Sequence, residues 1–211
     1  MKAIIKVRAT NEEWTNCRVL LDTCSTTNFI TEELANTIHA PKQSCSIPIG
    51  AVNELKTTCT HTTILTISSR HTGYHRTLEF LIIPHISTLI PNEPINTNML
   101  NIPPNIKSNL ADPTFLPSPV QMLIGTGPTL STFSIGQHNI STSPEKDLIL
   151  QKTQLGWIIG GSDNISSSQR CHLTNLEENI AKFSNLEEVP NTPHLSNEEA
   201  KCEEHFIKHV Q

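Results

Sequence analysis

An aspartate at the end of an apolar run is the clearest candidate for chemistry in this sequence. Residues 17–21 form the run, and Asp22 follows it directly, leading into Thr23, Cys24 and Ser25. Two carboxylates that share a site cannot both ionise, so one holds a proton while the other activates a water molecule. Asp22 therefore indicates acid–base hydrolysis by a pair of carboxylates. The alternative is that Asp22 only caps the turn that follows it, as aspartate commonly does.

The elements around Asp22 are predicted from the apolar pattern. Ala3–Val7 and Cys17–Leu21 are separated by a polar link and favour a β-hairpin. A helix is predicted from Thr31 to His39, with Thr31 as N-cap, two glutamates in the first turn and Pro41 as its stop. We therefore expect Asp22 in a loop between a strand and a helix.

The rest of the sequence favours β structure. Strands are predicted within residues 44–86, with a small-residue segment at 46–53 that is expected to be a mobile loop, and residues 87–119 are expected to form a long loop or insertion. The last predicted strands are at residues 120–124, 148–150 and 155–160. The serine-rich stretch 162–169 indicates a domain boundary, and the acidic tail beyond it contains a capping box at 196–199.

Composition and charge exclude several classes of function. The net charge is -5 and no dense cluster of lysine and arginine occurs, so we expect no contact with nucleic acid. The apolar runs are too short to span a bilayer, and Lys6 ends the apolar start, so we expect a cytoplasmic protein without membrane contact.

The six cysteines lack regular spacing and are expected to be mostly buried free thiols. Cys202, His205 and His209 could bind zinc from one face of a helix. A closed zinc site needs a fourth ligand from elsewhere in the chain, so no metal is expected.

Four blocks and the tail resemble one protein family. Leu20 to Ala35 is similar to the opening of the aspartic peptidase domain of BEL/Pao retrotransposons, which typically reads Asp-Ser/Thr-Gly-Ser, then Ser-Phe-Ile and a helix. The other matching blocks are residues 47–53, which resemble its flap, residues 110–113 and 120–125, which end in an apolar-apolar-Gly element, and residues 151–161, which contain Leu-Gly-Trp. Residues 183–190 and 195–206 resemble the connector that leads into the reverse transcriptase. The resemblance extends from about residue 3 to residue 211.

This resemblance implies a fold, an activity and a site. It implies a mainly β, retropepsin-like closed barrel with a flap and short helices over residues 1–161, and a partly helical connector over residues 162–211. It implies an aspartic endopeptidase that processes a Gag-Pol-like polyprotein, in the cytoplasm or in virus-like particles, without a cofactor. One Asp-Thr-x-Ser element supplies one carboxylate, so the enzyme would be a homodimer with Asp22 from each copy. The implied site comprises the catalytic Asp22, the loop residues Thr23, Cys24 and Ser25, the flap residues Gly50, Ala51, Val52 and Asn53, and the apolar-apolar-Gly residues Leu123, Ile124 and Gly125.

Departures from the family pattern bear on activity. Cys24 stands where the family has glycine, and Gln121 and Gly127 stand where it often has aspartate. A side chain at position 24 would crowd the approach of two loops, at a cost on the order of 1–3 kcal/mol. The fold would survive, but a misplacement of about 1 Å can lower the rate about a hundredfold. The open alternatives are an inactive transposon remnant, at most a dimerisation module, and a peptide-binding module.

Overall fold

Six strands close into a β-barrel. A computed structural model describes residues 1–9, 13–50, 56–87, 89–91, 94, 100–141 and 147–162, and this part of the chain is mainly β with short helices. The strands are β1 (Lys2–Arg8), β2 (Thr15–Leu21), β3 (Phe29–Thr31), β4 (Gln43–Gly50), β5 (Lys56–Ser68), β6 (His75–Ile83), β7 (Met122–Ile124), β8 (Phe133–Asn139), β9 (Asp147–Thr153) and β10 (Gly156–Ser162). The helices are α1 (Glu32–Thr37), α2 (Pro104–Lys107) and α3 (Thr126–Thr132).

The barrel closes because the long strand β5 shares one of its edges between two partners. The strand order is β1-β2-β7-β3-β6-β5-β4, with an additional pairing of β1 to β5. Residues 56–62 of β5 pair with β4, whereas residues 66–68 pair with β1. Strands β1, β2, β7, β3, β6 and β5 therefore form a ring, and β4 continues outward from β5. The expectation of a mainly β fold with a closed barrel and short helices is confirmed.

Alternating apolar residues fill the barrel. In β1 the side chains of Ala3, Ile5 and Val7 are buried, and the residues between them are less so. This alternation directs one face of a strand to the interior and the other outward. Leu78 and Phe80 of β6 follow the same pattern and belong to the same core. The predicted β1–β2 hairpin is confirmed, with Lys2 opposite Leu20 and Val7 opposite Thr15.

The short strand β7 lies between β2 and β3. It runs parallel to β2, with Leu21 opposite Ile124, and antiparallel to β3, with Phe29 opposite Leu123. The three strands bring the end of β2 and the end of β7 to the same place in the sheet. The loop that leaves β2 at Asp22 therefore lies beside the start of α3.

Helix α1 begins as predicted but ends earlier. Thr31 is the N-cap, and its hydroxyl accepts a hydrogen bond from the Leu34 amide at 3.3 Å. The predicted end at His39 before Pro41 is wrong, since the helix ends at Thr37. His39 has a positive φ of 50°, and the Ala40 amide donates to the Ala35 carbonyl. This left-handed residue, and not the proline, turns the chain out of the helix.

The chain after β7 differs from the sequence-based expectation. Helix α3, which the sequence analysis does not predict, begins at Thr126, and β8 follows it. Strands β8, β9 and β10 form a separate three-stranded sheet, so residues 133–162 do not contribute strands to the barrel. The predicted strands at 148–150 and 155–160 are confirmed within β9 and β10. The expected long loop at 87–119 contains helix α2.

The segment after the barrel strand β6 is anchored by a buried ion-pair cluster. Asp112 has a side chain that is 2% exposed, and its Oδ2 lies 3.1 Å from Lys2 Nζ and 3.0 Å from Arg18 Nε. Burial raises the pKa of Asp112, but hydrogen bonds from Thr114 and the charge of Lys2 outweigh this effect, so the pKa lies below its usual value. The cluster fixes the segment around Asp112 to strands β1 and β2.

Several expectations lie outside the described residues. These are the zinc alternative at Cys202, His205 and His209, the flap residues Ala51, Val52 and Asn53, and the connector at residues 162–211 apart from Ser162, which ends β10. In the ranges that the structure describes, no helix is long and apolar enough to cross a membrane.

Candidate active site

The candidate site is the loop that follows the buried strand β2. The side chains of Val19, Leu20 and Leu21 are all buried, and the chain reaches the surface at Asp22. Asp22 is half-buried, whereas Thr23 and Cys24 are exposed. The Asp22 amide donates to the Ile124 carbonyl at 3.0 Å, so the first residue of the loop continues the pairing of β2 with β7. A rigid strand pair therefore positions the backbone of the carboxylate.

The two oxygens of the Asp22 carboxylate have different environments. Oδ1 accepts a hydrogen bond from the Cys24 amide at 2.9 Å. Oδ2 is buried and has no hydrogen-bond partner among the described residues. The first contact is the turn cap that aspartate commonly forms. A buried polar atom without a hydrogen bond is unfavourable, so the second oxygen can accept a further donor.

Close backbone packing holds the loop against the β7–α3 junction. A Cβ atom added at Gly125 would lie 2.7 Å from the Ser25 carbonyl oxygen and 2.8 Å from that of Thr27. Both distances are shorter than real contacts allow, so only glycine fits at this position. The Gly125 amide also donates to Asn28 Oδ1 at 2.9 Å. The apolar-apolar-Gly residues Leu123, Ile124 and Gly125 thus lie directly behind the Asp22 loop, although the sequence separates them by about a hundred residues.

Thr126 makes side-chain and backbone contacts with the same loop. Its hydroxyl lies 2.8 Å from the Thr23 carbonyl oxygen and 2.9 Å from the Ser25 carbonyl oxygen. Its amide donates to the Ser25 carbonyl at 2.7 Å. These carbonyls belong to the residues on either side of Cys24. Thr126 therefore holds the loop at two points around the residue whose amide contacts Asp22.

Asn28 connects the loop to strand β6. Its Nδ2 donates to the Glu79 carbonyl at 2.9 Å, and its own carbonyl accepts from the Leu81 amide at 3.0 Å. Since its Oδ1 also accepts from Gly125, one side chain joins β6 to the end of β7. Asn28 lies in the stretch that resembles the family, but neither it nor Thr126 was identified as a site residue from the sequence. The signal that could have identified Asn28 and Thr126 is that each is a polar residue beside a tightly packed turn.

The predicted loop residues have distinct roles. The Ser25 hydroxyl donates to the Thr27 carbonyl at 2.9 Å, which stabilises the second half of the loop. Cys24 is a free, exposed thiol in the single protomer. Gly50 ends β4 and is exposed, so the first half of the segment that was expected to be a mobile loop is a strand. Of the predicted flap residues, Gly50 alone lies within the described ranges, at a strand end.

The other cysteines of the described residues are free, as expected. Cys17 and Cys59 are buried, whereas Cys45 is half-buried, so the expectation of mostly buried thiols holds for two of the four. Burial raises the pKa of Cys17 to about 12. This thiol also donates to the Met122 sulfur at 3.2 Å, inside the barrel. Neither it nor Cys59 is exposed to reagents as Cys24 is.

In the described part of the chain, no group of three or more histidine, cysteine or acidic side chains could hold a metal ion. The arrangement around Asp22 offers one carboxylate with an oxygen that accepts no hydrogen bond from the described residues, on a loop fixed by strand pairing and by Gly125. It could supply half of a carboxylate pair.

Comparison with known proteins assigns no family. No model of a known protein family matches the sequence, and no curated protein matches it significantly.

Proposed function

We propose that this chain is one protomer of an aspartic-type endopeptidase, with Asp22 as its catalytic carboxylate. The substrate would be a polypeptide, of the Gag-Pol-like kind implied by the resemblance to BEL/Pao peptidase domains. Two copies would each contribute one Asp22. One carboxyl would donate its proton to the scissile carbonyl oxygen while the other carboxylate takes a proton from the attacking water.

The observation that carries the proposal is the unpartnered Oδ2 of Asp22. Among the described residues this buried oxygen accepts no hydrogen bond, although the charge of the Met1 ammonium group acts on the same carboxylate; a buried acceptor in this state is unfavourable, so it can take a donor from a second copy. A second Asp22 would supply that partner, because two adjacent carboxyls share a proton between their oxygens. A symmetric dimer brings the same loop of each copy together by isologous contact.

The surroundings of the loop provide further support. The packing of Gly125 against Ser25 and Thr27 is the contact expected if residues 123–125 act as the apolar-apolar-Gly element of retroviral proteases. That element packs behind the catalytic loop in those enzymes. The closed barrel is compatible with the retropepsin-like fold, and β4 would lead into the flap at Gly50.

Cys24 favours a second candidate, an inactive remnant that retains the dimer or binds peptides. The thiol is exposed on the loop that would face the second copy, at the position where the family has glycine. Its Cβ and sulfur would occupy the space needed for the two loops to approach. The same barrel would then persist without turnover, and replacement of Cys24 by glycine distinguishes the two candidates.

The test is a peptide-cleavage assay on the full chain. Wild type, Asp22→Asn, Cys24→Gly and the double variant would be compared on several polyprotein-derived peptides at several pH values between about pH 4 and pH 7. We expect Cys24→Gly to be the most active, because glycine gives the loops room to approach. The double variant should be inactive, and inhibitors that mimic the tetrahedral intermediate should block Cys24→Gly.

Sedimentation provides the control for assembly. The full chain should dimerise with increasing concentration, and Asp22→Asn should retain the dimer because it preserves the side-chain shape. If Cys24→Gly cleaves no peptide above the level of the double variant, the remnant candidate is favoured. A folded chain that stays monomeric at high micromolar concentration contradicts the two-copy site.

A further inference from the structure

Thr126 is the side chain that joins the start of α3 to both halves of the Asp22 loop. Its hydroxyl lies within hydrogen-bonding distance of the Thr23 and Ser25 carbonyl oxygens, at 2.8 and 2.9 Å. The peptide units of these two residues enclose Cys24, whose amide donates to Asp22 Oδ1. A continuous set of hydrogen bonds thus runs from Thr126 through the loop backbone to the carboxylate.

We infer that Thr126 is a positioning residue that fixes the Cys24 amide against Asp22 and so sets the direction of the carboxylate. Its significance for catalysis rests on the proposed function. Its effect on loop geometry does not, because it follows from contacts within one protomer. The residue is half-buried, so its hydroxyl is partly shielded from competing water.

The hydroxyl contributes what the backbone contacts cannot. The amides of Asp22 and Thr126 already hold the two ends of the loop, through the carbonyls of Ile124 and Ser25. The Thr23 carbonyl lies between these anchors, where the chain turns towards Cys24. The hydroxyl of Thr126 reaches this carbonyl, and its loss would allow the peptide between residues 23 and 24 to rotate. That rotation would withdraw the Cys24 amide from Asp22 Oδ1.

Amide hydrogen exchange at Cys24, measured by NMR on the full chain, tests the inference without any need for activity. Thr126→Val keeps the shape of the side chain and the backbone contact but removes the hydroxyl. We expect exchange of the Cys24 amide to be about five- to tenfold faster, the factor that corresponds to one hydrogen bond. Thr126→Ser keeps the hydroxyl and should exchange within about twofold of wild type.

Thr132→Val is the matched control. Thr132 lies on the same helix, and its buried hydroxyl donates to the Thr129 carbonyl, away from the loop. This variant should leave exchange at Cys24 unchanged. Equal acceleration in Thr126→Val and Thr132→Val, or none in Thr126→Val, would overturn the inference. Thr126→Ala serves as a second variant without the hydroxyl. If it and Thr126→Val both unfold while Thr132→Val folds, the hydroxyl supports the whole fold, and the local role is wrong.

Peptide cleavage separates this inference from the proposed function. In the Cys24→Gly background, adding Thr126→Val should lower kcat by about tenfold or more with little change in KM, because a carboxylate is displaced and no substrate contact is lost. Adding Thr126→Ser should restore most of the kcat. A fall confined to KM would contradict the positioning role. If no variant cleaves peptide but the exchange results hold, the proposed function fails and the role of Thr126 in the loop stands.

Discussion

Replacement of Gly125 by alanine is the sharpest test of the packing that holds the Asp22 loop. The new Cβ would lie 2.7 Å from the Ser25 carbonyl oxygen, 2.8 Å from that of Thr27 and 3.1 Å from the Thr27 amide nitrogen. All three are backbone atoms, so no side chain can rotate away to relieve the contact. The loop or the end of β7 must move instead. Such a movement would also disturb the hydrogen bond from the Gly125 amide to Asn28.

The magnitude follows from the rigidity of these neighbours. Forcing extra atoms into a packed site typically lowers the free energy of unfolding by 1–3 kcal/mol, and backbone contacts favour the upper part of that range. We therefore expect a loss of about 2–3 kcal/mol for Gly125→Ala. With a urea dependence of about 2 kcal/mol per molar, the unfolding midpoint would fall by about 1–1.5 M.

Gly127→Ala provides the matched control two residues away. A Cβ at Gly127 meets nothing within 4 Å beyond its neighbours in the chain, and the residue lies in the first turn of α3. Alanine is more favourable than glycine in a helix by about 0.5–1 kcal/mol, but its Cβ also meets the ring of Pro128, which disfavours helical backbone at the preceding residue, so this variant should stay within about 1 kcal/mol of wild type. Urea unfolding followed by circular dichroism measures both variants. The reasoning is refuted if Gly125→Ala unfolds at the wild-type midpoint, or if Gly127→Ala loses as much stability.

Two further predictions concern charge and thiol reactivity. The folded-state pKa of Asp112 is lowered, so its contribution to stability is present above about pH 4, the usual aspartate value, and is lost as the pH falls through the folded pKa. Asp112→Asn should therefore lower the unfolding free energy by about 3 kcal/mol near pH 7, and this loss relative to wild type should become smaller below about pH 4. A loss of unfolding free energy that stays the same at every pH would contradict this prediction. Under native conditions a maleimide should label the exposed Cys24 before the buried Cys17, whose pKa is raised to about 12 and which should react only on unfolding. Peptide mapping that finds Cys17 labelled as fast as Cys24 would contradict the burial of Cys17.

The local elements of this protein follow from the sequence because they depend on near neighbours. The alternation of Ala3, Ile5 and Val7 predicts a strand with one buried face, and Thr31 before two glutamates predicts the start of a helix. The abrupt change from the apolar run to Asp22 likewise predicts a loop with an exposed polar end. In each case a periodic pattern or a cap within a few residues supplies the information.

The composition of the candidate site was decided by tertiary structure. Gly125 and Thr126 lie about a hundred residues from Asp22, and no local signal specifies that β7 inserts between β2 and β3. That pairing requires contacts between strands that are distant in the sequence. Each strand supplies hydrogen-bond partners for the backbone of its neighbours and helps to bury their apolar faces. The sequence by itself indicated Asp22 as the candidate carboxylate. The resemblance placed Gly125 in the implied site, but only the fold showed which contacts hold the loop, because the carbonyls around Cys24 find their donors only when the two distant segments meet.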